Sequence, residues 1–318
     1  MDWFHTEQAC LDYLQKLRWP HEFVCPRCGV ISAPLKTSRN RLVCQSCKHQ
    51  ASVTAGTIFD KTRTPLKVWL AAAWSSPTRS RASAPWGCSA LGLQRVLGFG
   101  SYQTAWAMLH RFRRAMVRPG RDLLGGLVEV DETFIAIGDK AQPVNAQGRK
   151  SHTTKTLVVI AVEMIEPKGF GRIRLRRIVD DSESQVLPFV KDVIQAGSIV
   201  HTDGSAAYRH LKEEGYVHQQ SVMLGSDTPA HVSMPGVHRV AALIHRWLLG
   251  THQGAVQPAQ LDYYLDEFVF RFNRRQSLSR GMLFYRLLEQ AVVTDPVTYQ
   301  HVVAQSKLRV IQSLELSG

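Results

Sequence analysis

Residues 126–137 are Gly-Leu-Val-Glu-Val-Asp-Glu-Thr-Phe-Ile-Ala-Ile, an apolar run broken near its middle by charge. Val128, Val130 and the apolar residues after Thr133 predict a strand buried on at least one face. Two adjacent acids, Asp131 and Glu132, interrupt the apolar run. Side chains alternate along a strand, so the two carboxylates point to opposite faces and only one can join a shared site. A buried carboxylate is costly unless it is paired or bound to a metal. The other reading of Asp131 is a strand end, where the carboxylate accepts turn hydrogen bonds.

Downstream, a loop from Gly138 to Thr153 carries Lys140, Arg149 and Lys150. Residues 156–164 and 171–179 read as two further strands, the second with alternating arginines. Ser182 to Ala196 reads as a helix with a serine cap and Glu183 in its first turn. Residues 198–205 then read as a short strand ending in Asp203-Gly204. The pattern predicts an α/β sheet. If the first strand is central and the fourth lies beside it, Asp131 and Asp203 converge. Two such carboxylates repel unless a cation lies between them, and Mg²⁺ or Mn²⁺ suits oxygen donors.

Upstream the chain has a different character. Residues 1–120 hold 17 Lys and Arg against 5 Asp and Glu, a net of +12 out of +13 for all 318 residues. Such an imbalance is expected to meet polyanions, with nucleic acid first among them. No apolar run reaches the ~18 residues of a spanning helix. The first residues lack the regions of a signal peptide, so a cytoplasmic location is expected. Residues 1–20 have helical spacing, with Thr6 as the cap. Cys25-Pro-Arg-Cys28 and Cys44-Gln-Ser-Cys47 are two pairs at the spacing of a tetrahedral zinc site, and Gly29 suits the positive-φ turn of such a knuckle. Cys10 and Cys88 lack ligand spacing and read as packing residues. Arg27, Lys36, Arg39, Arg41 and Lys48 make this ribbon basic. Pro65 opens a helix, and residues 75–85 read as a basic connector. Two helices then meet at a glycine turn, the second bearing Arg111, Arg113 and Arg114. This suits a helix-turn-helix; the alternative is a plain helical hairpin, and the regional charge favours DNA.

The runs VEVDETF, HTDGSAAY, VHRVAALIHRWLLGTHQGAV and DYYLDEFVFRFNRR occur in that order, preceded by SVTAGTIF and LQRVLGFGSYQTAWAMLHRFRRAM. As an ordered set they resemble bacterial insertion-sequence transposases with a zinc ribbon and a ribonuclease-H-like DDE-type catalytic domain. The resemblance implies residues 1–55 as N-terminal helix plus zinc ribbon, 56–120 as a helix-turn-helix-like DNA-binding region, and 121–318 as the catalytic domain with a mixed sheet flanked by helices. It implies binding of element ends, DNA strand cleavage and strand transfer, and action as a homo-oligomer that pairs two ends.

In that family two divalent metals sit on an acidic cluster for in-line displacement at phosphorus. The resemblance gives Asp131 the bridging role and Asp203 one metal, and leaves Glu132 a structural role. The family places an asparagine or carboxylate, then a lysine two residues on, where this chain reads Leu243-Ile244-His245. Neither leucine nor isoleucine binds metal. His238 and His245 lie seven residues apart on one helix face and are candidate replacements, with Glu267 a further one. A histidine in such a helix otherwise packs or meets a phosphate. Arg246, Arg271, Arg274 and Arg275 are candidate phosphate contacts. The missing ligand keeps two alternatives open, a catalytically impaired copy and a zinc-dependent DNA-binding regulator without chemistry.

Overall fold

Thr6 accepts a hydrogen bond from the Ala9 N–H at 3.1 Å and so opens helix α1, Glu7–Arg18. The computed structural model describes residues 4–75, 88–138, 153–165, 167, 169–221, 233–253 and 256–304. The interiors of the basic connector and of the loop after Gly138 lie outside the described residues, as do residues 305–318. The chain forms two compact units, one of Met1–Arg118 with Ser277–Val302 and one of Pro119–Gln276 with the C-terminal residues.

In the first unit, α1 leads into a three-stranded antiparallel ribbon of β1 (Leu35–Lys36), β2 (Leu42–Val43) and β3 (Gln50–Ala51). Helix α2 (Leu66–Ser75) follows Pro65, and the Glu7 carboxylate accepts from its Leu66 and Lys67 N–H groups at 2.8 and 3.1 Å. Those N–H groups have no acceptor inside the helix, so Glu7 ties α1 to the start of α2. Helix α3 (Ala90–Leu97) is capped by Ser89 and ends at Gly98 with φ +68°, a left-handed value that glycine adopts freely. Helix α4 (Tyr102–Ala115) follows, completing the helix-glycine turn-helix arrangement.

The second unit is built on β4, Leu127–Gly138. With β5 (Thr153–Met164), β6 (Phe170–Ile178), β7 (Ile199–Thr202) and β8 (Val217–Gln220) it forms a sheet of order β6-β5-β4-β7-β8. β4 pairs antiparallel with β5 and parallel with β7, so the sheet changes sense at its central strand. Helix α5 (Glu183–Val193) lies between β6 and β7 in the chain. Its Val186, Phe189 and Val190 pack with Val128, Val130, Val159, Ala161 and Tyr208 to form the core on one face. Helix α6 (Pro235–His252) packs against β4 and β5, and α7 (Leu261–Asn273) against β6. The Asn273 side chain exchanges hydrogen bonds with the backbone of Ile173, fixing α7 to that edge strand.

Helix α8 (Arg280–Ala291) belongs to the first unit, with Phe284 beside the rings of Phe4, Tyr13 and Trp74. Among the described residues no helix is long and apolar enough to cross a membrane.

Candidate active site and metal centre

The parallel ladder between β4 and β7 pairs Leu127 with Ile199, Val128 with Val200, and Glu129 with His201. Asp131 lies two residues further along β4, and Asp203 two residues past His201, one beyond the end of β7 at Thr202. Equal steps from one paired position bring the two acids to the same end of neighbouring strands, close enough for the Asp203 charge to act on Asp131. Asp131 Oδ1 accepts the Glu132 N–H at 2.8 Å, and Asp203 Oδ1 accepts the Ser205 N–H at 2.9 Å. Burial pushes the Asp131 carboxyl up, the Asp203 charge adds to this, and the Glu132 N–H and His238 oppose it. A half-buried acid with an acidic neighbour is stabilised by a cation, so the donor set fits a hard divalent ion.

Helix α6 covers the same face. His245 Nε2 lies 3.4 Å from the Thr133 hydroxyl, and His238 stands within electrostatic reach of Asp131. Ile244 is fully buried and Leu243 half-buried, so both are packing positions, while the face toward β4 presents the two histidines. Glu129 is buried on this face and accepts from the Gly236 and Val237 N–H groups at 2.7 and 3.0 Å. Glu267 is buried and paired with Arg271 at 3.2 Å.

Glu132 points to the other face of β4. Its Oε1 accepts from the buried Tyr208 hydroxyl at 2.5 Å. Burial pushes its carboxyl up to about 7, with the Tyr208 hydrogen bond opposing and Asp131 and Asp203 adding.

The ribbon gathers four thiols. The Sγ atoms of Cys25, Cys28, Cys44 and Cys47 all lie within 4.8 Å of one another, the one such group of potential metal ligands among the described residues. Cys25 and Cys47 are 3.6 Å apart, and Cys28 and Cys44 3.7 Å. A tetrahedron with Zn–S bonds of about 2.3 Å has edges of about 3.8 Å, so the thiols fit zinc. Gly29 takes φ +71° after the first knuckle, and Lys48 takes φ +59° at the matching place after the second. In both knuckles the N–H of that residue donates to the carbonyl of the first cysteine, at 2.9 and 3.0 Å.

The arginines separate by burial. Arg111 lines a cavity of about 340 Å³ with Lys61, Arg63, Trp69 and the first turn of α4. Its guanidinium lies over the Trp69 ring at 5.9 Å. Arg113, expected on a DNA-facing surface, is only 2% exposed and belongs to the interior. It follows Leu109 by four residues and precedes Met116 by three, which puts it on the apolar stripe of α4. Arg114 is half-buried and Arg246 is exposed on α6. Arg274 stacks on Phe270 at 4.0 Å. Arg275 donates to the carbonyls of Phe170, Gly171 and Phe272 and so braces α7 on β6.

A central strand carrying an acid, a parallel neighbour ending in a second acid and helices on both faces make a ribonuclease-H-like domain, here preceded by a zinc ribbon. Residues 123–273 match the family model of the ISXO2-like transposase domain, and residues 5–50 that of the transposase zinc-ribbon domain. The chain thus carries a transposase zinc-ribbon domain followed by an ISXO2-like transposase domain. It is 27% identical over 281 residues to a Halobacterium salinarum protein described as "Uncharacterized protein in transposable element ISH50", covering 84% of this chain and 91% of that one. Among solved structures it is similar to the catalytic core domain of BIV integrase, with a TM-score of 0.30 and 13% identity, over 49% of this chain and 86% of the other.

Proposed function

We propose that the chain binds the ends of its insertion sequence and catalyses metal-dependent DNA strand cleavage and strand transfer. The observation that carries this reading is the pair of Asp131 on β4 and Asp203 just past the end of its parallel neighbour β7, with His238 of α6 within electrostatic reach of Asp131. Asp131 and Asp203 supply oxygen donors to Mg²⁺ or Mn²⁺, and His238 supplies a nitrogen in the place of the third ligand. An imidazole in the set favours Mn²⁺ over Mg²⁺, which prefers oxygen throughout. Held by these residues, divalent ions would supply the Lewis acidity that strand cleavage and transfer need. His245, exposed and next to Thr133, is placed for a phosphate oxygen of the bound strand. Cys25, Cys28, Cys44 and Cys47 hold a structural zinc ion. The ribbon, the helix-turn-helix of α3 and α4, Arg111, Arg114, Arg246 and Arg274 contribute to DNA binding, and two copies pair two ends. In this division, residues 1–55 and 56–120 recognise DNA and the domain that begins at 121 performs the chemistry.

The test is cleavage of a donor bearing the element's own terminal repeats by the native and Asp131→Ala proteins. Loss in the variant supports the reading; equal activity overturns it. One observation favours a second reading, a DNA-binding regulator without chemistry. Among the described residues no third side-chain ligand closes on the two aspartates as the cysteines close on one another. Tight end binding with no Mn²⁺-dependent nicking, unchanged by Asp203→Ala, would support that reading instead.

A further inference from the structure

β4 carries another acid on the Asp131 face. Glu129 is two residues earlier, so the two side chains share a face, and it is only 2% exposed. A carboxylate taken that far out of water must be hydrogen-bonded or paired. Its Oε2 accepts both the Gly236 and the Val237 N–H, at 2.7 and 3.0 Å. These groups lie in the first turn of α6, where backbone donors lack intrahelical acceptors, and Met234 offers no side-chain cap. The cap therefore comes from a strand 107 residues away, with its negative charge at the positive end of the helix.

Gly236 makes the close approach possible. A Cβ at this position would lie 2.7 Å from Met164 Sδ, 2.8 Å from Glu129 Oε2 and 3.2 Å from Val162 Cγ1. A Cβ here would have to displace the Met164 and Glu129 side-chain ends, and with the latter the Glu129 cap, or move the start of α6. The residue after Val237 is His238, whose charge reaches Asp131. Glu129 Oε2 thus accepts two N–H groups of the helix, the bonds that a positioning role requires.

We propose that Glu129 and Gly236 are positioning residues that pin the start of α6 to β4, so that His238 completes the ligand set begun by Asp131 and Asp203. The inference rests on the reading of that set as a metal site. The arrangement links the strand of Asp131 to the helix of His238 through two hydrogen bonds, from the Gly236 and Val237 N–H groups to the Glu129 carboxylate. A ligand on an unpinned helix would bind metal only after an ordering step.

Mn²⁺ binding to the full-length, zinc-loaded protein, read from the electron paramagnetic resonance signal of free Mn²⁺, tests this. Glu129→Ala and Gly236→Ala are each expected to weaken Mn²⁺ binding about tenfold, as loss of a ligand-orienting partner does. Glu129→Gln, whose carbonyl oxygen still accepts both N–H groups, should stay within about threefold of the native protein. If Glu129 acts through His238, adding Glu129→Ala to His238→Ala should weaken binding no further. Native affinity in a folded Glu129→Ala protein, or full additivity with His238→Ala, overturns the proposal. Loss in Glu129→Gln as deep as in Asp131→Ala also overturns it, because it would make Glu129 a ligand. Should Glu129→Ala fail to fold, native affinity in Gly236→Ala overturns it equally. Mn²⁺ binding that survives Asp131→Ala is a separate failure, that of the metal site itself.

Discussion

The Tyr208 hydroxyl donates to Glu132 Oε1 at 2.5 Å across the core face of β4. Tyr208 sits five residues after Asp203, in a 3-10 turn opened by Ser205, so this bond ties the segment bearing the second acid to the strand bearing the first. Removing the hydroxyl leaves a buried carboxyl without that donor, at a cost of about 1–3 kcal/mol. Tyr208→Phe is therefore expected to lower the thermal midpoint of the metal-free protein. A midpoint equal to the native one would show that the bond contributes nothing to stability.

Burial raises the cost of ionising Asp131, and the charge of Asp203 adds to it. Asp203→Asn keeps the oxygen that accepts the Ser205 N–H and removes one charge. It is expected to stabilise the metal-free protein by about 1 kcal/mol, as relief of one like-charge contact. It should also abolish the rise in melting temperature that Mn²⁺ gives the native protein. Calorimetry with and without Mn²⁺ checks both, and an unchanged Mn²⁺ response would argue against the pair as a metal site.

Zinc held by four thiolates supplies folding energy to a ribbon too small to have much core of its own. Chelation is expected to expose the amides of residues 20–50 to rapid hydrogen exchange while the amides of β4 and β5 stay protected. Cys25→Ser with Cys28→Ser should reproduce the effect. Full affinity for element ends in that double variant would remove the ribbon from DNA recognition.

Glu163 accepts from the Gly125 N–H and from the Arg172 N–H and guanidinium, with one contact at 2.5 Å. Burial alone would push its carboxyl up, but these donors hold it below the usual range. A depressed folded-state pKa gives stability that is full above the unfolded value of about 4.3 and is lost as pH falls through the folded value. Glu163→Gln should therefore destabilise the protein at pH 7, with the difference shrinking as pH falls toward 3. A difference independent of pH would mean that packing, not charge, accounts for it.

Burial divides the arginines of α4 into two kinds. Arg111→Ala is expected to weaken DNA binding uniformly across sequences and reduce the salt slope by about one unit. Arg113→Ala should leave the slope unchanged and lower thermal stability, because its guanidinium is inside the unit. Binding measured over a range of salt concentrations separates the two.

The sheet was legible where side chains report their surroundings. Val128 and Val130 announce a buried strand, and the apolar runs at β5 and β7 do the same. Strand alternation already separates Asp131 from Glu132, and the heptad spacing puts His238 and His245 together. β8 was illegible, because Val217-His-Gln-Gln is polar and its pairing with β7 makes it a strand. The grouping of Ser277–Val302 with the N-terminal unit is likewise decided by contacts such as Phe284 with Tyr13, which composition does not record. Nothing in the sequence singles out Glu129, because its partners are backbone N–H groups 107 residues away. The spacing of Arg113 from Leu109 and Met116, by contrast, already places it on the inner stripe.

Because Asp203 follows directly on β7, whose ladder with β4 is fixed at Glu129 and His201, the side of the sheet from which it meets Asp131 depends on counting parity. Deleting one residue between Ser198 and Asp203 would turn the second acid to the far side of the sheet, while deleting two would restore its side at the cost of strand length. Such a deletion keeps the reading frame, the composition and nearly the whole fold. On the function proposed above, copies of an element that differ only there would carry every recognisable motif and still be inert.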